Sequence, residues 1–329
     1  MSHPPPLLFR TPRLTRRPLI VRLRNWVGDV TLAVPTLQRL ADAGHDLHLV
    51  GKPWARSLLA GHGWPVHALP GKLGDQVTLL RRLRRETGLP GNAQRIDALC
   101  LPDSFSSALA FRLAGLRALG HAHEARGWLL ARALPLPRQL HALQVYWAMG
   151  EALLGQAAPL PSAIGLKVGD AQRQTARDLR AAHGLAADCI LICPFAGGTW
   201  NQRDKTWPGF ADYVAHGLPR HGRRIVVCPG PGAETEGARR DFPNALLLRD
   251  VDLGTYAALL QDAALMVSND TGPGHMAAAV GTPLVSVLGP SDPALWRAWG
   301  PGVRLVQGPG GWPSAAAVDD AVSGALASR

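Results

Sequence analysis

Short apolar runs, each followed by a segment of helical periodicity, recur along the chain, and this alternation restricts the fold more than any other feature. Pro18 to Arg24 reads as a strand, Asp29 to Ala43 as a helix and Asp46 to Gly51 as the next strand. A strand, a helix and a second strand in that order build a parallel sheet covered by helices. A second series begins near Gly169 with a polar helix. It continues through Cys189 to Pro194, Trp207 to Gly217, Arg224 to Cys228, Ala245 to Leu248, Gly254 to Asp262, Ala264 to Ser268, Gly274 to Val280 and Pro283 to Leu288. The second half repeats the architecture of the first without repeating its sequence.

Between the halves, Ala157 to Ala163 (Ala-Ala-Pro-Leu-Pro-Ser-Ala) has the proline-rich, weakly periodic character of a linker. The boundary is placed near residue 165, giving domains 1–165 and 166–329. Each is long enough for a core of its own in a chain of 329 residues. The alanine-rich tail from Ser314 to Ser328 suits a helix, alanine being the residue with the least conformational cost there. Two α/β lobes with parallel sheets expose the carboxyl ends of their strands to an interdomain cleft, so the loops after strands are expected to hold the chemistry.

Three such loops carry suitable residues. In Arg22-Leu-Arg24-Asn-Trp-Val-Gly28-Asp29 a strand ends in a glycine turn and Asp29 opens a helix, which presents a carboxylate to the cleft. The plain alternative is that Asp29 only caps the helix or complements its dipole. In Pro194-Phe-Ala-Gly197-Gly198-Thr199-Trp-Asn201-Gln-Arg203-Asp-Lys205-Thr-Trp207-Pro208 the glycines let backbone approach a phosphate. Thr199 and Asn201 offer hydrogen bonds there and Lys205 a point charge. In Ser268-Asn-Asp270-Thr271-Gly272-Pro-Gly-His275 a polar turn follows a buried strand and opens a small-residue helix, whose N–H groups suit a phosphate or sugar oxygen. Glu234 and Glu236, beyond the strand Arg224 to Cys228, stand where a carboxylate often binds ribose; an exposed acidic first turn explains them equally well.

Other classes lack their signatures. GxGxxG after an early strand, GxxxxGK[ST] and GxSxG are absent, which argues against a nicotinamide enzyme, a Walker NTPase and an α/β hydrolase. His121-Ala-His123-Glu124 is not HExxH, so no metal is expected. With 35 Lys+Arg against 24 Asp+Glu the formal charge is +11, which favours anionic partners. Nucleic acid is one, but the basic residues are not interleaved with stacking aromatics. The run Arg81-Arg82-Leu83-Arg84-Arg85 is accounted for by a solvated helix face. No apolar run is long enough to cross a bilayer, the N-terminus lacks a signal-peptide core, and the four cysteines suit buried free thiols. A cytoplasmic location is the expectation.

Taken in order, Val21-Arg-Leu-Arg-Asn-Trp-Val-Gly-Asp29 with Pro35, Lys205-Thr-Trp207-Pro208, Asn269-Asp270-Thr271-Gly272-Pro-Gly-His275 and Gly289-Pro-Ser-Asp-Pro293 resemble glycosyltransferase family 9, the ADP-heptose:lipopolysaccharide heptosyltransferases. The resemblance implies a GT-B fold, with an N-terminal Rossmann-like acceptor domain and a C-terminal donor domain. It implies an inverting, metal-independent transfer of heptose from an ADP-sugar to a phosphorylated, carboxylated acceptor such as Kdo-lipid A, at the inner face of the inner membrane. By the same resemblance Asp29 is the catalytic base. Lys205, Asp270, Thr271, Gly272 and His275 contact the donor, with Thr199, Asn201 and one of Glu234 and Glu236, and Arg24, Arg126 and His141 stand on the acceptor side. A sugar-nucleotide epimerase of the same two-lobed fold is the alternative enzyme.

Overall fold

The computed structural model describes residues 16–90, 95–197, 199–200, 202–289, 291–309 and 311–328. Among these residues the chain builds two six-stranded sheets, parallel throughout. The first contains β1 (Arg17–Arg22), β2 (His45–Gly51), β3 (Val66–Ala68), β4 (Ala98–Cys100), β5 (Ala118–Ala122) and β6 (Arg132–Pro135). Its helices are α1 (Val27–Asp42), α2 (Ala55–Leu58), α3 (Leu73–Glu86), α4 (Phe105–Leu113) and α5 (Ala142–Leu154). The second begins after α6 (Asp170–Ala182) and contains β7 (Ile190–Cys193), then, past the hairpin β8 (Thr199–Trp200) and β9 (Arg203–Asp204), β10 (Ile225–Val227), β11 (Leu246–Leu247), β12 (Leu265–Asn269), β13 (Leu284–Leu288) and β14 (Val303–Gln307). Its helices are α7 (Phe210–Asp212), α8 (Ala233–Asp241), α9 (Leu253–Asp262), α10 (Gly272–Val280), α11 (Pro293–Trp296) and α12 (Ala315–Ala327).

The strand orders are β3-β2-β1-β4-β5-β6 and β11-β10-β7-β12-β13-β14. Both are the Rossmann order, in which the chain direction of winding reverses between the first and fourth strands and leaves a crevice there. Central strands are buried on both faces and so read as unbroken apolar runs: every residue of β7, β12 and β13 is buried. In α3 the pattern is amphipathic, with Val77, Leu80 and Leu83 inward. Two of the arginines around Leu83 end α4: Arg81 donates to Leu113 O at 2.9 Å and Arg84 to Ala114 O at 3.0 Å. Part of the basic run is thus a cap on a neighbouring helix.

The lobes share a core. Leu32, Leu37, Tyr146, Met276 and Ala278 belong to one buried cluster that crosses between them. The first turns of α1 and α10 meet closely. A Cβ on Gly28 would stand 2.8 Å from His275 Cδ2, and one on Gly272 would stand 2.8 Å from Val27 Cβ. Glycine is required at both positions by space alone. Residues 156–169 form no helix or strand, and α12 packs on β13 and β14.

Candidate active site

At the first reversal point β1 ends, and the next residues lead into α1. Asp29 is the third residue of that helix, whose N-terminus has no side-chain cap bond. The capping alternative therefore fails. Its Oδ1 instead accepts from the Tyr146 hydroxyl at 2.5 Å and from Arg24 Nε at 3.2 Å. Arg24 continues to Asp103 Oδ1 at 2.9 Å, so one guanidinium spans two carboxylates. Burial works against the charge on Arg24, but the carboxylates of Asp29 and Asp103 oppose it and its pKa is raised.

At the second reversal point β7 and β12 end side by side. Asn269, fully buried, ties the loops together: its Oδ1 accepts from Trp207 N at 3.0 Å and its Nδ2 donates to Pro194 O at 2.6 Å. That bracket brings Lys205 over Asp270, Nζ to Oδ2 at 3.6 Å, with His275 Nε2 at 4.0 Å from the other carboxylate oxygen. Burial pushes the His275 pKa down, and Lys205 adds to that, while Asp270 and Asp29 oppose it. Thr271 precedes α10 and makes no side-chain cap bond; Pro273 has no N–H and Gly274 N donates to Thr271 O at 3.1 Å, so the first-turn N–H left without a bond inside the helix start is that of Gly272.

A cavity of about 400 Å³ joins the two points; Asp29, Lys205, Glu234, Asp270, Thr271, Gly272 and His275 all line it. Seven of the expected residues thus share one space. Glu234 and Glu236 part company: Glu234 lines the cavity and accepts from Gly230 N at 2.8 Å, whereas Glu236 is exposed outside it. Thr199 lies in β8, and Asn201 falls outside the described residues. A second cavity of about 260 Å³ adjoins the first, with Arg24, Tyr146, His121 and Arg138 in its wall. Trp296 lines both, held there by α11, whose N-terminus Asp292 caps through Ala294 N at 2.9 Å.

Two expected acceptor residues are not brought to either cavity. Arg126 is fully buried, with Nε donating to His121 O and Nη1 to Ser104 O, each at 2.8 Å. His141 caps α5, accepting from Leu143 N at 3.2 Å, and its Nε2 donates to Arg297 O of the other lobe at 2.9 Å. Arg126 braces the first lobe and His141 joins the two. Conversely, Tyr146, Asp103, Arg138 and Trp296 carried no motif. Tyr146 sits in an apolar helix where its spacing reads as core, and only its hydroxyl reveals another role. Among the described residues, no group of three His, Cys, Asp or Glu side chains is placed to hold a metal, and no helix is long and apolar enough to cross a membrane.

Two Rossmann-type sheets with a carboxylate of one lobe and a helix N-terminus of the other on one cleft make a scaffold that suits sugar-nucleotide enzymes, transferases and epimerases alike. The family model for glycosyltransferase family 9 (heptosyltransferase) matches residues 92–318, and the chain belongs to that family. It is 27% identical over 292 residues to lipopolysaccharide heptosyltransferase 2 of Escherichia coli (strain K12), covering 82% of each chain. The match to lipopolysaccharide heptosyltransferase 3 of the same strain is local, 34% over 138 residues, and spans 40% of this chain and 39% of that protein. The solved structure of E. coli ADP-heptose lps heptosyltransferase II superposes with a TM-score of 0.78 at 22% identity, over 94% of this chain and 99% of that one. These findings establish the GT-B fold and the transferase class, in preference to an epimerase.

Proposed function

We propose that the protein transfers a heptosyl group, with inversion and without a metal ion, from ADP-heptose to a lipopolysaccharide inner-core acceptor of the Kdo-lipid A type. The observation that carries this reading is the single cavity in which Asp29 of one lobe faces Lys205, Asp270 and His275 of the other. The name of the structurally similar E. coli enzyme supports the choice of an ADP-heptose donor.

The donor diphosphate is assigned to Lys205 and the N-terminus of α10, where a point charge and aligned N–H dipoles both favour an anion. Glu234 is assigned to ribose. The acceptor enters from the second cavity, whose Arg24 and Arg138 suit its acidic groups. Asp29 removes the proton of the acceptor hydroxyl as that oxygen bonds to the anomeric carbon. The bond from that carbon to the diphosphate oxygen breaks, and its electron pair leaves with ADP. Charge then grows on the leaving diphosphate, where Lys205 and the helix terminus are already aimed; fixed donors of that kind do the work a divalent cation does elsewhere. The surplus of positive charge is consistent with docking at the cytoplasmic face of the inner membrane, where such an acceptor resides.

The test is calorimetric titration with ADP, UDP, GDP and dTDP in the presence of EDTA, followed by transfer assays with ADP-heptose. Selective ADP binding and EDTA-resistant transfer are expected. Preference for another base keeps the fold and overturns the heptose donor; loss of transfer in EDTA overturns metal independence. Raising salt is expected to weaken acceptor use more than ADP binding, since exposed charges are screened over about 8 Å at physiological ionic strength.

A further inference from the structure

We infer that Tyr146 is a positioning residue for the catalytic carboxylate: with Arg24 it fixes Asp29 by Oδ1 and leaves Oδ2 as the atom that takes the acceptor proton. The inference rests on the proposed role of Asp29 and extends it to a residue outside every motif of the sequence. Tyr146 lies on α5, 117 positions from Asp29 in the chain, and the two side chains meet at 2.5 Å with both residues buried. Arg24 Nε reaches the same oxygen at 3.2 Å. Among the described residues no donor is bonded to Oδ2. A carboxylate held by two donors on one oxygen cannot rotate about its Cβ–Cγ bond without losing both, so the free oxygen keeps one orientation.

Arg24 alone would not achieve this. Its guanidinium is shared with Asp103 at 2.9 Å, and it approaches Asp29 through a single nitrogen, which leaves the carboxylate free to pivot. The tyrosine supplies the second direction. Burial, reinforced by the charge on Asp29, raises the Tyr146 pKa well above its ordinary value, so the phenol stays protonated and remains a donor. Trp147 and Met149, neighbours on α5, are buried, so the ring that carries the hydroxyl sits on an anchored helix.

Tyr146→Phe keeps the ring and removes only the oxygen. Turnover is expected to fall on the order of 10-fold to 100-fold, as a misplaced reacting group does, with the KM for donor unchanged. Melting temperature and ADP affinity serve as controls for a merely structural effect. The decisive comparison is a double-mutant cycle with Asp29→Ala. If Tyr146 acts through Asp29, adding Tyr146→Phe to Asp29→Ala costs little further turnover; losses that multiply overturn the positioning role while leaving the base in place. Near-normal turnover of Asp29→Ala alone overturns the base and the positioning role together. A crystal structure of Tyr146→Phe gives an answer that needs no substrate: a reoriented Asp29 carboxylate is expected, and one that keeps its wild-type orientation overturns the proposal.

Discussion

The two lobes have the same strand order and each sends the N-terminus of a helix into the cleft, yet their first helical turns are opposites. In α1 the first turn is Val27-Gly28-Asp29, so a carboxylate occupies the electropositive end of its own helix. In α10 it is Gly272-Pro273-Gly274, which brings no charged or hydrogen-bonding side chain to the positive end of the helix. One topology thus yields a carboxylate at one helix start and an open terminus at the other, which under the proposed function are the base and the anion seat. The choice is made by three residues at each helix start, and the surroundings follow it: Arg24 and Tyr146 hold the acid, while Lys205 and His275 gather around Asp270.

The largest effect should come from removing the acid. Asp29→Ala is expected to lower turnover by about 10²- to 10⁴-fold, the usual contribution of a general base, while ADP affinity persists. Steady-state kinetics beside calorimetry checks this; a parallel loss of ADP binding would erase the division of labour between the lobes. Next comes the cation of the other lobe. Lys205→Ala is expected to weaken ADP binding by roughly 10- to 100-fold, the range of a lost hydrogen bond to a charged group. An unchanged dissociation constant would move the phosphates elsewhere.

A smaller effect tests the contact between the two helix starts. Gly28→Ala sets a methyl group 2.8 Å from the His275 ring, and Gly272→Ala sets one 2.8 Å from Val27. Each is expected to destabilise by about 1–3 kcal/mol, as overpacking does, read as a lowered melting temperature. Gly44→Ala is not an equivalent control, because φ there is +89°. Unchanged melting in both variants would mean that the lobes can separate at no cost.

The gentlest probe is pH. Burial pushes His62, His121 and His141 from the ordinary 6.5 down to about 4, and all three belong to the first lobe or its junction with the second. Their folded-state pKa is depressed, so the unfolded chain binds more protons between these limits. Stability is full above pH 6.5 and is lost as pH falls towards 4, by at most about 1.4 kcal/mol per pH unit for each histidine. Hydrogen exchange at pH 5 and pH 7 is expected to show more protection lost in the first lobe than in the second, where among the described residues His275 is the one histidine pushed down by burial. Equal loss in both would show that the acid response does not distinguish them.

The sequence by itself determined the repeated parallel α/β architecture, because burial on both faces writes a central strand as an unbroken apolar run and the helical period returns between runs. It also determined most of the cavity. Asp29, Lys205, Asp270, Thr271, Gly272 and His275 lie in the segments that lead from strand ends into the next helix, and strand ends are where such sheets present residues to a ligand. Tertiary structure alone decided what local spacing cannot encode: that Glu234 and not Glu236 lines the cleft, that Arg126 and His141 are buried among backbone carbonyls, and that Tyr146 reaches Asp29. Each of these depends on which way one side chain turns after helices distant in the chain have packed, and period and composition carry no record of that.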